Sequence, residues 1–251
     1  MKDNWKLWLA VVACVVVAVF FTQRAHEAFY GSPPGWIKQE DRIGAAISKD
    51  GKLQVAWKQF SDILGAAQRE SAQRQLPVGT ISLLFLETSG TDALAIVTEP
   101  VVNQGFNPLR NPQSSIGGDE KRFVGFYTTA GAPIPFTIVR VQGRSKNPPV
   151  TLHLDATVAP GATQWVVRVE WRRAPVSVTK NGKLQAGLGR FPRAPNAVYV
   201  RAVSLPSGST IVRSSPQETA TVQNGSVPLV SWIGGPADGG VPMSVVFTKP
   251  K

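Results

Sequence analysis

Cysteine occurs once and histidine twice in these 251 residues. With Cys14 alone, no internal disulfide can form, and redox chemistry leaves the compartment open. His26 and His153 stand far apart, with no second histidine or cysteine at ligand spacing, which excludes the usual zinc and haem patterns. No cofactor and no metal site is therefore expected. Acids are also scarce beyond residue 139, where only Asp155, Glu170, Glu218 and Asp238 remain. A glycosidase needs two carboxyl groups across a cleft, and Glu87 and Glu99 near strand ends qualify only as any acids would. His153 and Asp155 share a strand face and could pair, but no serine elbow accompanies them. The glycine-rich stretch from Gly234 to Gly240 lacks the Lys-Ser/Thr ending and the following helix of a phosphate cradle. No catalytic residue is assigned, and the chain is expected not to be an enzyme.

Long apolar runs are also absent, with one exception. Leu7 to Phe21 (LWLAVVACVVVAVFF) carries no charge, and with its flanks it just reaches the length that spans a hydrocarbon layer of ~30 Å. A transmembrane anchor over 1–22 is expected, with Leu9, Val12, Val16, Val19 and Phe20 in lipid. Trp5 and Trp8 sit where an interfacial aromatic belt belongs. A cleaved signal would need a small-x-small site, which Arg24 and Glu27 spoil. Val11-Val12-Ala13-Cys14 loosely fits a lipidation pattern, yet the apolar run continues seven residues past the cysteine. Lys2 and Lys6 on the short leading side place the N-terminus in the cytoplasm and the body outside, at the periplasmic face of an inner membrane.

Charge is unevenly spread. From Gln23 to Val139 there are 11 Lys+Arg against 11 Asp+Glu, whereas Arg140 to Lys251 holds 14 against 4. Arg168, Arg172, Arg173, Arg190, Arg193, Arg201 and Arg213 supply much of this excess, and guanidinium forks suit carboxylate or phosphate better than ammonium does. These arginines are read as contacts to an acidic protein surface or to anionic lipid headgroups. Single-stranded nucleic acid is disfavoured, because Trp165 and Trp171 fall on the apolar side of their strand instead of beside the arginines.

Gly31-Ser32-Pro33-Pro34-Gly35 breaks the chain within a juxtamembrane linker, 23–52. Leu53, Ala56, Trp57, Phe60, Ile63, Leu64 and Ala67 then recur at helical spacing, predicting an amphipathic helix from Leu53 to Gln75 that packs on its own domain and stops at Pro77. From Thr80 the period becomes two. Ile81 to Leu86 is apolar on both faces, like a fully covered strand, and forms a hairpin with Ala93 to Thr98 through Ser89-Gly90-Thr91-Asp92. Further strands are expected at Phe123–Thr129, Ile134–Gln142, Val150–Val158, Gln164–Arg172, Ala197–Leu205, Thr210–Ser214, Val227–Trp232 and Met243–Thr248. In Gln164–Arg172, Trp165, Val167, Val169 and Trp171 face inward, while Val166, Arg168, Glu170 and Arg172 face out. Asn181-Gly182 and Asn224-Gly225 mark tight hairpins. Asn103 to Glu120 has no period and reads as a long loop, with Phe106, Leu109, Arg110 and Ile116 offered for docking.

The expected fold is mainly β: one N-terminal transmembrane helix, one amphipathic helix, then antiparallel sheets with a β-sandwich-like C-terminal half. A helix-plus-hairpin subdomain over 53–139 precedes a basic sandwich-like domain over 140–251. The expected role is a non-catalytic accessory or scaffolding subunit of a multi-subunit membrane complex, of energy-transducing or secretion type, bridging neighbouring subunits. The alternative is a membrane-tethered binding module for an anionic ligand such as a lipid headgroup or glycan, and after it a membrane-bound hydrolase.

Overall fold

A computed structural model describes residues 12, 15, 47, 50–117, 120–141, 149–191, 196–235 and 240–248. The amphipathic helix, α1 (Gly51–Arg74), starts where Asp50 caps it, its carboxylate accepting from the amides of Lys52 at 2.9 Å and Leu53 at 3.2 Å. It ends where Gln75 turns left-handed at φ 55° and its amide reaches back to Ala72. Its buried side is Leu53, Ala56, Trp57, Phe60, Ile63 and Ala67, the stripe that the spacing predicts. An Asp50→Ala exchange removes acceptors for two first-turn amides. It is expected to cost about 1 kcal/mol in urea unfolding, whereas Asp50→Asn should be nearly silent.

The strands follow in chain order: β1 (Val78–Leu86), β2 (Asp92–Val102), β3 (Leu109–Arg110), β4 (Gln113–Ile116), β5 (Glu120–Thr128), β6 (Pro133–Ile134), β7 (Phe136–Val141), β8 (Val150–Leu154), β9 (Thr157–Val158), β10 (Thr163–Arg173), β11 (Val176–Val178), β12 (Leu184–Arg190), β13 (Val198–Ser204), β14 (Thr210–Ser215), β15 (Ala220–Gln223), β16 (Leu229–Gly234) and β17 (Pro242–Thr248). Eight of them form one sheet in the order β15-β16-β13-β1-β2-β10-β5-β6. Two smaller sheets have the orders β11-β12-β17-β14 and β4-β8-β7, and β3 pairs with β9.

The fold is thus mainly β, with antiparallel sheets and one helix. One pairing departs from the antiparallel expectation: β1 and β13 run parallel, Ile81 opposite Val200 and Leu83 opposite Ala202. A parallel neighbour needs a long crossover, and here the whole chain from β2 to β12 supplies it. The eight-stranded sheet draws β1, β2, β5 and β6 from one side of residue 139 and β10, β13, β15 and β16 from the other, so the 139/140 division cuts across it. The hairpin turns also differ from the tight form. Gly182 has φ 70°, but neither Asn181, Asn224 nor Gly225 has positive φ, and each turn closes over more than two residues.

Both faces of the large sheet are covered, which explains why Ile81–Leu86 is apolar without alternation. On the first face α1 packs over Ile81, Leu83, Leu94, Ile96, Val167, Val169, Val200 and Ala202. Trp57 meets Tyr127 there at a ring-centroid distance of 5.5 Å. The second face is shared. The four-stranded sheet lays Ala186, Leu188, Met243, Val245 and Phe247 against Leu84, Leu86, Ala95, Val203, Val230 and Trp232. The three-stranded sheet lays Ile116, Phe136, Val150, Leu152 and Leu154 against Phe123, Phe126 and Val166. Strand β10 is thus buried on both sides over its middle, in contrast to the half-buried strand expected: outward Val166 joins the core of the three-stranded sheet and Glu170 is 2% exposed, while Arg172 stays partly in water.

The expected membrane segment lies outside the described residues, save Val12 and Val15, which are helical and exposed. No helix among the described residues is long and apolar enough to cross a membrane.

Candidate functional site

Two features of the second face and its rim gather the docking residues read from the sequence. The first is the segment following β2. Asn103 is only 5% exposed and pins it, donating from Nδ2 to the carbonyls of Asn107 and Val158, each at 2.9 Å, and accepting the Gly105 amide at 3.0 Å. Its own amide donates to Ala162, and its carbonyl accepts from Gly161. The turn so fixed carries Phe106, whose side chain is 99% exposed. Exposed Val102 precedes it in sequence. Leu109 is half-buried and Arg110 exposed, and both line an open depression of about 600 Å³ with Pro100, Pro112, Gln113 and His153.

Ile116 departs from the expectation. It is 1% exposed and lies in the core under the three-stranded sheet, because Gln113–Ile116 is a strand paired with β8. The unbroken loop expected over 103–120 thus contains two short strands, whose partners are roughly 35–50 residues further along the chain. His153 meets Gln113, the two Nε2 atoms 3.1 Å apart, on the β4–β8 pairing.

The second feature is a charged strip on the second face of the large sheet. In β10 the side chains of Arg168, Glu170 and Arg172 follow one another on that face, two residues apart. Arg168 Nε lies 3.0 Å from Glu99 Oε1 and 3.4 Å from Glu170 Oε2. Arg172 Nη1 lies 3.9 Å from Glu170 Oε1, the outer limit of an ion pair. Glu170 is 2% exposed and Arg168 18%, so the centre of the strip is held out of water, while Glu99 and Arg172 at its ends reach it. Ser114 from β4 donates to Glu99 Oε2 at 3.1 Å, tying the strip to the three-stranded sheet. Across the sheet, half-buried Arg201 of β13 donates from Nη1 to Ser82 Oγ at 3.0 Å. Burial, and after it the neighbouring Arg172 charge, hold the Arg201 guanidinium below the usual arginine range.

The arginines therefore do not form one exposed patch. Arg168, Arg172 and Arg201 share this face, and Arg168 is engaged with two carboxylates. Arg173 is exposed at the end of β10, while Arg190 and Arg213 are exposed on the four-stranded sheet. Arg193 lies outside the described residues, as do Trp5, Trp8, Leu9, Val16, Val19 and Phe20. Sequence reasoning missed Ser82, Glu99 and Glu170 as partners of the arginines. The clue available was the acid in the middle of β10, flanked by two arginines of the same parity. Asn103 was missed too, since an asparagine at a strand end usually signals only a turn.

Trp171 packs at the margin of the α1-covered core, whereas Trp165 lines a cavity of about 260 Å³ with Leu64, Gln68, Thr98 and Gln164. Among the described residues no three His, Cys, Asp or Glu side chains lie where they could hold a metal ion.

No protein-family model matches the sequence, and no curated protein does. Among solved structures, the M1 zinc metallopeptidase from Deinococcus radiodurans is similar at 14% identity and a TM-score of 0.40, over 69% of this chain and 42% of that one. A mutant of that enzyme bound to a Tyr-Ser-Ala substrate aligns at 13% identity with the same TM-score and coverage. The match thus spans about two fifths of the metallopeptidase's length. At that TM-score the likeness supports no statement about activity.

Proposed function

We propose that this chain is a non-catalytic accessory subunit of a multi-subunit membrane assembly of energy-transducing or secretion type. In this reading Leu7–Phe21 anchors it in the inner membrane with the N-terminus inside. The β-rich body then lies on the periplasmic side and bridges neighbouring subunits. The observation that carries the reading is Phe106. Burying a phenylalanine side chain contributes roughly 1.5–3 kcal/mol, and this one is held in water by a turn whose base is fixed through buried Asn103. A pre-ordered aromatic loses little conformational freedom on docking, and aromatic side chains are enriched at the cores of protein interfaces. The depression lined by Leu109 and Arg110 offers a polar rim beside it.

A photo-crosslinking amino acid at position 106, in cells making the full chain, is expected to give one or a few discrete protein adducts. The same probe at Lys180, an exposed turn residue, should give none of them. Adducts with lipid alone, or the same diffuse pattern from both positions, would contradict the reading. Phe106→Ser should leave unfolding stability within about 0.5 kcal/mol of the parent, as at other surface sites, while removing the partner.

A further inference from the structure

We infer that the cavity between α1 and the first face of the large sheet binds one neutral sugar ring, held by Gln68, Thr98 and Gln164 with Trp165 along a wall. The cavity stands apart from the Phe106 turn, and neither reading needs the other.

What fills the rest of that layer explains the space. Trp57, Phe60 and Tyr127 pack together between helix and sheet. Further along α1, Ala67 is small, and polar Gln68 stands one turn beyond Leu64, where the stripe calls for an apolar side chain. About 260 Å³ is left unfilled there. The sheet is irregular at the same place. The β1–β2 register runs from Leu86 opposite Ala93 to Ser82 opposite Val97, and just beyond it the Ile81 amide donates to the Thr98 hydroxyl at 2.8 Å. On its other edge β1 shifts register against β13 between Val78 and Ile81. Such irregularities are over-represented beside functional sites. Burial falls from floor to mouth: Ile81 is 0% and Thr98 2% exposed, Gln164 and Trp165 are half-buried, and Gln68 and Thr129 are exposed. A ligand thus has both a way in and a buried end to reach.

The lining selects the class of ligand. None of the described residues that form it carries a charge, so an ion entering would lose its water with nothing opposite to it. Thr98 Oγ1 accepts from Ile81, which leaves its own O–H to donate to a ligand. A purely apolar occupant would leave that buried donor unmet. The side-chain amides of Gln68 and Gln164 have no partner among the described residues, and each offers two donors and an acceptor. Sugar hydroxyls likewise donate and accept, while the C–H-rich face of the ring suits an indole and the apolar Leu64 and Ile81. Pockets for drug-sized ligands start at about 300 Å³, so this volume takes a single ring.

The test uses the full chain, labelled with fluorotryptophan, in a detergent without a sugar headgroup. The methyl pyranosides of glucose, galactose, mannose and N-acetylglucosamine are titrated while the fluorine resonances are followed, that of Trp165 being identified by its loss in Trp165→Phe. The inference expects at least one pyranoside to shift the Trp165 resonance saturably. Thr98→Val should weaken that affinity tenfold or more. Gln68→Leu, a surface exchange that also serves if Thr98→Val fails to fold, should weaken it several-fold. Gln73→Leu, exposed on α1 and outside the lining, should leave it unchanged. Glucuronate, which is charged, and cyclohexanol, which has one hydroxyl, should each bind at least tenfold more weakly than the best pyranoside. A disaccharide that matches the methyl glycoside marks the end of a glycan chain and one that is shut out marks a free sugar, and either keeps the inference. It is overturned if no pyranoside saturates, if neither Thr98→Val nor Gln68→Leu weakens binding, if Gln73→Leu weakens it equally, or if glucuronate or cyclohexanol binds as tightly.

Discussion

Replacing Trp232 by alanine is expected to destabilise the protein by about 4 kcal/mol, within the range for truncating a buried large aromatic. Trp232 is 0% exposed and lies in the layer where the four-stranded sheet meets the large sheet, beside Val203, Val230, Val245 and Phe247. Its Nε1–H donates to the Pro216 carbonyl at 2.9 Å, so truncation both opens a cavity and leaves that acceptor without its donor. Trp232→Phe fills more of the space and should lose about half as much. Urea unfolding followed by far-ultraviolet circular dichroism separates these outcomes. A loss below about 1 kcal/mol for the alanine variant would mean that the two sheets do not share this core.

Glu170→Gln should cost about 3 kcal/mol, a large fraction of the stability of an ordinary domain. The exchange keeps the shape but removes a carboxylate that is 2% exposed and lies 3.4 Å from Arg168 and 3.9 Å from Arg172. The arginines are then left partly buried with less opposing charge, which is where most of the penalty arises. The Arg168→Met/Glu170→Leu double variant should recover only part of the loss: replacing a buried ion pair by apolar groups of similar size is often neutral, but Glu99 loses its partner at 3.0 Å. A double-mutant cycle in the same unfolding assay reads the coupling. Strict additivity of the Arg168→Met and Glu170→Leu single exchanges in their double variant would contradict the interaction.

What the sequence revealed about the fold came from local pattern. The helical stripe from Leu53 to Ala67, the hairpin across Ser89–Asp92 and the alternation of Gln164–Arg172 each depend on neighbours a few residues apart, and each element forms close to the expected bounds. The parallel pairing of β1 with β13 could not be read this way, since Leu83 meets Ala202 across more than a hundred residues. Alternation in β10 separates two faces, yet it carries no information on what covers each, so Arg168 and Glu170 were placed in solvent. Largely withdrawn from water, they hold each other instead. Ile116 failed for the same reason: within a Pro-, Gly- and Asn-rich stretch its strand partner, Val150, lies on a remote segment. That Phe106 stands on an irregular, water-facing turn was legible from its polar, aperiodic surroundings. The asparagine that fixes its turn was not, because its role lies in carbonyls brought from Asn107 and Val158.

The proposed role rests on Phe106 being covered by another protein in the native assembly. Size analysis of the full chain extracted in mild detergent, comparing the parent with Phe106→Ser, tests this most directly. The account predicts that the parent migrates in a complex several times its own mass of 27.0 kDa, and that the serine variant, equally folded, is released from it. Identical migration of both as free single chains would contradict it.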